Sequence, residues 1–576
     1  SDIVSIDIES THINPNYAKI VGISVSAEKD TGYYIPFVFP GMDSDDKYTL
    51  SSSEILDILK PILESDEVSK CGQNIKYDML IFLRYGITLK GILFDTMIAE
   101  HILHPEKNSY KLENLSVEYL GYRMQPIEEL IGEGKDQQTM DLVPLDKVMF
   151  YACEDADVTL QLTQILKKSI DETSMSRAFY DIEIPLISAL AQIEYNGVFI
   201  DKEELSKLHV DVSERLERLK GEVFGMSGRE FNINSPKQLS EILFDELELK
   251  EIKKRSTAVN VLEVLKNHHP LPGKILDYRH LSKLNSTYIN ALPDHINVNT
   301  GRVHTSLNQT IVATGRLSST SPNFQNIPIR TKLGKEIRKA FKGQEGYHIL
   351  SADYSQVELR IMAHFSKEPE LVDAFNDNVD VHRRTAALVY GVSEEDVSDD
   401  QRRTAKVVNF GIMYGAGPFR MSQELGISMS EAKGLIGTYF NTYPGIRIYI
   451  DTLLDNARED GFVETLFGRR RMAYNLNSDN MNIQKAEERA LVNMPIQGTA
   501  AELIKLAMIN IQHKILKNSL DSRMILQVHD ELLFEIPENE IDIMVELVKF
   551  EMENAIKLDV PLTVEYNFGK SWYDAH

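Results

Sequence analysis

The sequence contains little cysteine and no long apolar run. Its 576 residues include two cysteines, Cys71 and Cys153, which cannot build a disulfide framework, and neither has a second Cys or His at zinc-ligand spacing. No apolar run approaches the ~20 residues that a membrane helix needs, and no signal-peptide pattern opens the chain. These absences predict a protein of a reducing cytoplasm without a membrane anchor.

Basic residues are scarce relative to acidic ones. The chain has 62 Lys and Arg against 87 Asp and Glu, which gives a net charge of -25. This balance excludes a uniformly basic nucleic-acid coat, so a polyanionic partner must be held by local patches or through metal ions. The absence of a repeat of ~20 to 50 residues argues against a solenoid.

The chain is too long for one hydrophobic core. Strands and helices mix before about residue 175, which predicts an α/β unit. A mostly helical region follows to about residue 300, and then an α+β region. The expected strands are 2–9, 19–26, 32–37, 346–353 and 523–535, and the expected helices of the first unit are 53–64, 111–120 and 146–170.

The segment QRRTAKVVNFGIMYG carries two cations and two aromatic residues at a repeat of four. On a helix, this stripe would follow one face for roughly 18 Å, with cations at one end and aromatic rings at the other. A nucleotide has a matching layout, with phosphates at one end and a sugar and base at the other. The alternative is an amphipathic face packed on a core. Gly411 and Gly415 disfavour that alternative, since glycine inside a helix is costly unless something must come close. The stripe consists of Arg402, Lys406, Phe410 and Tyr414.

Three early segments supply carboxylates. Alternation in VSIDIES puts Asp7 and Glu9 on one face of a strand, and YACEDADVT puts Tyr151 and Asp155 on one face of a helix. With Asp78 from GQNIKYDML, these carboxylates could hold two Mg²⁺ or Mn²⁺ ions, because hard cations prefer oxygen ligands. The alternative is a solvated strand face.

These segments resemble, in order, the three motifs of the DEDDy 3′-5′ exonucleases. The resemblance implies an RNase H-like fold, with metal ligation by the four carboxylates and Tyr151 beside the attacking water. All five positions match, so an active proofreading site is expected. Asn74, which precedes Asp78 in the second motif, is expected to contact DNA.

A second carboxylate set lies later in the chain. YHILSADYSQVELR reads as a strand ending at Asp353, with Glu358 on the helix that follows. RMILQVHDELLFEI reads as a β-hairpin with His529, Asp530 and Glu531 at its tip. An ordinary acidic turn is the alternative. Together, Asp353 and Asp530 could form a second two-metal centre, and the cations of the stripe could bind a triphosphate, which points to nucleotidyl transfer.

DYSQVELR, RRTAKVVNFGIMYG and VHDE resemble motifs A, B and C of DNA polymerase family A, most closely the large, Klenow-type part of its bacterial members. The resemblance extends from the first strand to the last residue. It implies a 3′-5′ exonuclease domain over 1–175 and a right-hand polymerase domain over 176–576. The implied subdomains are a thumb over about 185–300, a palm over about 301–365 and 480–576, and fingers over about 366–479.

The resemblance also implies individual roles in nucleotide addition. Asp353 and Asp530 would bind the catalytic ions, supported by Glu531, while Lys406 would act beside them. Nucleotide contacts would come from the stripe, with Phe410 at the sugar and Tyr414 at the base, and from Glu358 as a barrier to a 2′-hydroxyl. His529 would face both nucleotide and primer. The other expected DNA contacts are Arg316, Arg489, Asn493, Gln497, Lys283 and Arg330.

Two basic runs flank these motifs. IRTKLGKEIRKAFK includes Arg330 and Arg338, and GRRRM includes Arg469. Such runs are often solvated faces, but beside catalytic motifs they are expected to bind DNA phosphates without sequence preference.

The implied protein is a template-directed DNA polymerase of replication and repair with a proofreading exonuclease. It would use two Mg²⁺ ions per active site, with Mn²⁺ as a substitute, and bind primer-template DNA and dNTPs. A monomer in the cytoplasm is expected, associated with the nucleoid if bacterial. A single-subunit RNA polymerase is one alternative, which Glu358 and the exonuclease motifs disfavour. A catalytically inactive DNA-binding relative is the other, which the intact set of metal ligands disfavours.

Overall fold

The alternating segment IVSIDIES forms the first strand of the protein, whose computed structural model describes residues 3–37, 50–329 and 331–576. The strands of the amino-terminal unit are β1 (Ile3–Ser10), β2 (Ile20–Ser26), β3 (Tyr33–Pro36), β4 (Ser69–Gly72) and β5 (Ile92–Asp95). Within the described residues they form one sheet of order β3-β2-β1-β4-β5. β1 pairs antiparallel with β2 and parallel with β4, which gives the expected RNase H-like arrangement.

The helices of this unit follow local signals in the sequence. They are α1 (Ser52–Leu63), α2 (Ile75–Arg84), α3 (Thr96–Leu103), α4 (Leu112–Leu115), α5 (Glu128–Ile131) and α6 (Leu145–Asp171). A capping box of Ser51 and Glu54 starts α1, and Asp95 caps α3. The helix expected over 111–120 is α4 continued by a π turn over Ser116–Leu120. α6 packs on the sheet, and the face that meets β1 includes Tyr151 and Asp155.

A helical region connects this unit to a second sheet. Its elements are α7 (Ile184–Asn196), β6 (Val198–Phe199), α8 (Lys202–Ser227), α9 (Pro236–Glu241), α10 (Val259–Leu265), α11 (Pro270–Leu284), β7 (Arg302–Val303), β8 (Ser306–Asn308), β9 (Ser318–Thr320) and α12 (Lys332–Arg338). Ser235 and Pro236, whose pairing in a sequence is also typical of a turn, here start a helix. Ser235 caps α9, and Pro236 takes its first position, where no backbone N–H is needed.

The remaining elements surround the second sheet. They are β10 (Tyr347–Tyr354), α13 (Val357–Ser366), α14 (Pro369–Asn376), α15 (Val381–Tyr390), α16 (Asp399–Met413), α17 (Pro418–Leu425), α18 (Met429–Thr442), α19 (Pro444–Asp460), β11 (Phe462–Glu464), β12 (Arg470–Met472), α20 (Met481–Lys517), β13 (Arg523–Val528), β14 (Glu531–Pro537), α21 (Ile541–Glu553) and β15 (Val564–Gly569). Among the described strands, β13, β14, β10 and β15 pair in that order, each antiparallel to its neighbour.

The expected hairpin is present and tighter than the sequence suggested. Only His529 and Asp530 connect β13 to β14, because Glu531 is already the first residue of β14. His529 has φ 54°, and a two-residue hairpin requires such a left-handed conformation. The turn therefore fixes Asp530 at the edge of the sheet.

The two units share a packed boundary. Phe467, from the segment after β11, belongs to the hydrophobic core of the amino-terminal unit. Beside it, the buried carboxylate of Glu183 pairs with both Arg469 and Lys505. In the part of the chain that is described, no helix is long and apolar enough to cross a membrane.

Candidate active sites

The first carboxylate centre comprises Asp7, Glu9, Asp78 and Asp155. Oxygens of Asp7, Glu9 and Asp155 all lie within 4.8 Å of one another. Asp78 is tied to the same strand, since its Oδ1 accepts a hydrogen bond of 3.1 Å from the Ile8 backbone N–H. A strand and two helices thus bring four distant carboxylates to one point.

The electrostatics of this centre fit a divalent cation. Burial raises the pKa of Asp7 to about 6, and burial together with the charges of Asp7 and Asp155 raises the pKa of Glu9 well above its ordinary value. Oε1 of Glu9 is buried and has no hydrogen-bond partner among the described residues. Crowded carboxylates without counter-ions are costly, and a metal bound through oxygen ligands would relieve both the repulsion and the unmet acceptor.

Tyr151 lies one helical turn before Asp155 and faces the same centre. Its hydroxyl donates a hydrogen bond that partly offsets the rise in the pKa of Asp155, which burial and Asp7 cause. Burial and Asp155 in turn raise the pKa of Tyr151, so the phenol stays protonated. Tyr151 is therefore a neutral donor beside the carboxylates.

Tyr34 lies near the first carboxylate centre, which the sequence did not predict. Its ring crosses Gly22, where an added Cβ would lie 2.2 Å from the Tyr34 hydroxyl. Because Gly22 pairs with Glu9 across β1 and β2, the ring extends toward the first carboxylate centre. The pattern YYIP predicts only an ordinary strand. The position of the Tyr34 ring depends on Gly22 of the neighbouring strand, which has no side chain to block it.

A cleft of about 420 Å³ separates the first unit from the segment around β8 and β9. Asn74 lines it on one side, and Asn308 and Thr320 line the other. Asn74 has left-handed backbone angles at the start of α2. Tyr77, the chain neighbour of Asp78, also lines this cleft.

The second carboxylate centre comprises Asp353, Asp530 and Glu531. Asp353 is directly opposite Glu531 in the β10–β14 pairing, and the Tyr354 N–H donates to the Asp530 carbonyl at 3.2 Å. Burial, then Glu531 and Asp530, raises the pKa of Asp353 to about 7. Burial also raises the pKa of Asp530. These two carboxylates are likewise suited to a bound cation.

Glu531 differs from the other two carboxylates. Its Oε1 accepts hydrogen bonds from Ser351 Oγ at 2.6 Å and from the indole of Trp572 at 2.8 Å. Burial acts to raise the pKa of Glu531, but hydrogen bonds from His576, Ser351 and Trp572 outweigh it, so the pKa is lowered. Glu531 is therefore ionised and already held by the protein.

The stripe lies on α16, with Tyr414 just past its end. Ala405, Val408 and Ile412 are buried on another face, which is the main face packed on the core, although Phe410 of the stripe also contacts that core. Lys406 is exposed, and the rings of Phe410 and Tyr414 stack with centroids 6.3 Å apart. Arg402 pairs with Asp380 at 2.7 Å.

Glu358 joins the end of the stripe to Arg316. It accepts hydrogen bonds from the Tyr414 hydroxyl and, at 2.6 Å, from Arg316. His382 was missed in the sequence, although its ring lies 5.7 Å from that of Phe410. Burial and Lys406 lower the pKa of His382 to about 4, so it is neutral. A capping Asp380 two residues earlier was the available signal.

The remaining expected DNA contacts fall into three groups. Arg489, Asn493 and Gln497 follow one another at intervals of four on α20, and an added Cβ on Gly415 would meet Arg489 at 2.7 Å. Lys283 is exposed on α11. Arg330 lies outside the described residues.

The expectation for the basic runs is wrong at two positions. Arg338 and Arg469 are each 1% exposed, so neither can reach a DNA phosphate. Arg469 is held by the buried carboxylate of Glu183, and Arg338 lies over the ring of Trp572. A charged run in the sequence does not reveal which of its members the fold turns inward.

The fold and the two centres define a class: an exonuclease-type α/β domain joined to a polymerase-type domain. A family model for 3′-5′ exonuclease matches residues 1–171, and one for DNA polymerase family A matches residues 202–574. The chain belongs to DNA polymerase family A. Membership decides against the single-subunit RNA polymerase considered from the sequence.

Several relatives are similar along the whole chain. DNA polymerase I of Pseudomonas aeruginosa is 42% identical, and that of Rhizobium leguminosarum is 38% identical; each alignment includes 100% of this chain. The chain spans 64% and 59% of those two relatives. The solved POL domain of Pol1 from M. smegmatis, in complex with DNA primer-template and dNTP, superposes with a TM-score of 0.89 at 34% identity. That match covers 99% of this chain and 96% of the solved one.

Proposed function

We propose that the chain is a DNA-directed DNA polymerase that adds deoxynucleotides to a primer 3′ end and removes mismatched ends with a 3′-5′ exonuclease. The observation that carries the proposal is the presence of two separate carboxylate centres, one on each sheet of a family A chain. The domain limits of 1–175 and 176–576 belong to the proposal. The exonuclease match ends at residue 171 and the polymerase match begins at residue 202, which supports a boundary between these residues.

In the polymerase domain, Asp353 and Asp530 would hold Mg²⁺, two ions per site with Mn²⁺ as a substitute. When bound, the ions would stabilise the attacking and leaving oxygens of the transfer. Glu531 supports the pair as a fixed anion, since its Oε1 is already occupied by Ser351 and Trp572. The protein supplies position and charge, which phosphoryl transfer mainly requires.

The stripe on α16 would bind the incoming nucleotide. Lys406 is exposed and free to meet the triphosphate, and Arg402 can exchange its partner Asp380 for phosphate oxygens. The stacked rings of Phe410 and Tyr414 would contact sugar and base. With Tyr414 held by Glu358, the pocket has a fixed wall where a 2′-hydroxyl would enter.

In the exonuclease domain, Asp7, Glu9, Asp78 and Asp155 would hold the corresponding ions. Tyr151 is a neutral donor that can orient a water molecule beside Asp155. Asn74 would guide the single-stranded end along the cleft that Asn74 and Tyr77 line.

DNA would be held by polar residues around the polymerase centre, where Arg316, Arg489, Asn493, Gln497 and His529 would contact the primer-template. Lys283 on α11 would contact the duplex further away, with Arg330 as a phosphate contact. We also infer a monomer that acts in the cytoplasm, at the nucleoid in a bacterium, in replication and repair. Within the polymerase domain, thumb, palm and fingers would keep the limits expected from the sequence.

Primer extension on matched and mismatched 3′ ends tests both activities in one buffer with Mg²⁺. The proposal expects direct extension of the matched end. It expects removal of the mismatched nucleotide before extension of the other end. A protein that binds the primed template but neither extends nor shortens it would support the inactive relative instead.

A further inference from the structure

Arg338, at the end of α12, is an unusual buried cation. None of its three guanidinium nitrogens has a hydrogen-bond partner among the described residues. Its guanidinium carbon lies 3.9 Å from the centroid of the Trp572 ring. Burying a charge without hydrogen bonds is costly, and an apolar side chain would pack there more cheaply. The position therefore calls for an explanation other than packing.

The guanidinium of Arg338 packs on one side of the Trp572 ring, and Phe341 packs against the same ring from another direction. Trp572 is fully buried, with the ring of Phe341 edge-on at 5.3 Å and 68°. In this plane the indole N–H points at Oε1 of Glu531 and donates a hydrogen bond of 2.8 Å. Arg338, Trp572 and Glu531 thus form a continuous chain of contacts from α12 to the second carboxylate centre.

Glu531 is the residue on which this chain of contacts ends. It follows Asp530 directly and is paired with Asp353 across the sheet. A free glutamate at this position could swing toward ions held by the two aspartates and compete for them. Its hydrogen bonds to Trp572 and Ser351 prevent that movement.

We propose that Arg338 and Trp572 are positioning residues of the polymerase centre, which hold Glu531 aside so that Asp353 and Asp530 remain the metal ligands. This inference rests on the proposed polymerase function. Burial lowers the pKa of Arg338, and attraction between its charge and that of Glu531 offsets part of this effect. Outer partners of metal sites commonly act in this way.

The protein carries a built-in probe of this contact. Trp572 is the only tryptophan of the 576 residues, so selective excitation of indole reports its surroundings in the whole chain. Arg338→Met removes the charge but keeps an apolar stem, Arg338→Lys keeps the charge but not the flat stack, and Trp572→Phe removes the N–H. Arg447→Met is the matched control, because Arg447 lies over the ring of Phe440 at 5.3 Å on distant α19.

Arg338→Met should shift the indole emission of the metal-free protein. Arg338→Met and Trp572→Phe should each lower the Mg²⁺ concentration for half-maximal primer extension, because a released Glu531 adds an anionic ligand. Each should also lower kcat by about tenfold, because that ligand draws the ions away from Asp353 and Asp530. Both substitutions should change the KM for dNTP by less than about twofold, because they do not alter the helix proposed to bind the nucleotide. Arg338→Lys should be intermediate, and Arg447→Met should match the unaltered protein. Exonuclease rates of all variants should be unchanged, because the first carboxylate centre is separate.

Native Mg²⁺ dependence in both Arg338→Met and Trp572→Phe would overturn the inference. An equal loss of extension and exonuclease activity with a lowered Tm would overturn it as well, since it would reduce Arg338 to a fold-stabilising residue. If the unaltered protein failed to extend primers at all, the proposed function would fail. The emission of Arg338→Met would then still decide whether the contact exists.

Discussion

The Tyr414 hydroxyl donates a hydrogen bond to Oε2 of Glu358, so the last residue of the stripe is tied to the helix that follows β10. Oε1 of the same carboxylate accepts from Arg316 at 2.6 Å. Glu358 is thereby held on both carboxylate oxygens.

Glu358→Ala should therefore weaken the exclusion of ribonucleotides. We expect the ratio of kcat/KM for ribonucleotides over deoxynucleotides to rise by at least about tenfold, because the fixed wall is removed. Glu358→Gln keeps the bulk and is the matched control, which should retain most of the selectivity. An unchanged ratio in Glu358→Ala would remove Glu358 from this role.

Phe410→Tyr should relax discrimination against dideoxynucleotides. Phe410 offers no hydrogen bond at the sugar, so a nucleotide without a 3′-hydroxyl loses an interaction that the protein does not replace. A phenol at this position could replace it, and we expect the preference for dNTP over ddNTP to fall by at least about tenfold. Single-nucleotide incorporation measures this ratio, with Phe410→Leu as the control. Equal ddNTP use by Phe410→Tyr and the unaltered protein would contradict the role of Phe410.

The combined substitution of Asp7→Ala and Glu9→Ala should lower degradation of single-stranded 3′ ends by at least about a hundredfold. It should leave primer extension nearly unchanged, because the second carboxylate centre lies on another sheet. Asp530→Asn is the reciprocal control and should stop extension while degradation continues. Undiminished degradation by the double variant would refute the first assignment.

Asp353 should destabilise the metal-free protein at high pH. The pKa of Asp353 rises from 3.8 in the unfolded chain to about 7 in the folded protein. Below pH 3.8 the side chain is protonated in both the folded and the unfolded state, so it does not lower the free energy of unfolding there. The penalty grows as the pH rises and is complete above about 7. Asp353→Asn should then raise Tm by a few degrees at high pH in a chelator and leave it unchanged at low pH.

Asp559→Asn is the control for this measurement. Asp559 is exposed and pairs with Lys367 and His364, so its pKa is lowered and its removal should not stabilise the protein. If Asp353→Asn failed to raise Tm at high pH, the crowding of carboxylates at the second centre would be contradicted.

Local patterns were sufficient to predict the parts of the molecule that carry the first centre. Strict alternation around Asp7 and Glu9 led to a strand that forms as β1, and the spacing of Tyr151 and Asp155 led to one face of a helix that forms as α6. The hairpin around Asp530 was also readable from two apolar runs. Each of these signals depends on periodicity within one element, which needs no knowledge of the fold.

Features that depend on distant parts of the chain could not be predicted. Arg338 and Arg469 look like surface cations in the sequence, yet Trp572 and Glu183 hold them inside. The place of Tyr34 beside the first centre depends on a glycine in the neighbouring strand. These contacts join residues far apart in sequence, so no local pattern marks them.

The most direct test of the account is a single time course of primer extension on a mismatched 3′ end, with labelled primer, Mg²⁺ and dNTPs. Two independent carboxylate centres predict shortening followed by full extension in the unaltered protein. They predict shortening alone in Asp530→Asn, and a persistent unextended mismatch in the Asp7→Ala, Glu9→Ala variant. Failure of Asp530→Asn to shorten the mismatched end, or failure of the Asp7→Ala, Glu9→Ala variant to extend a matched primer run in parallel, would contradict the account, because the two centres could not then be separate.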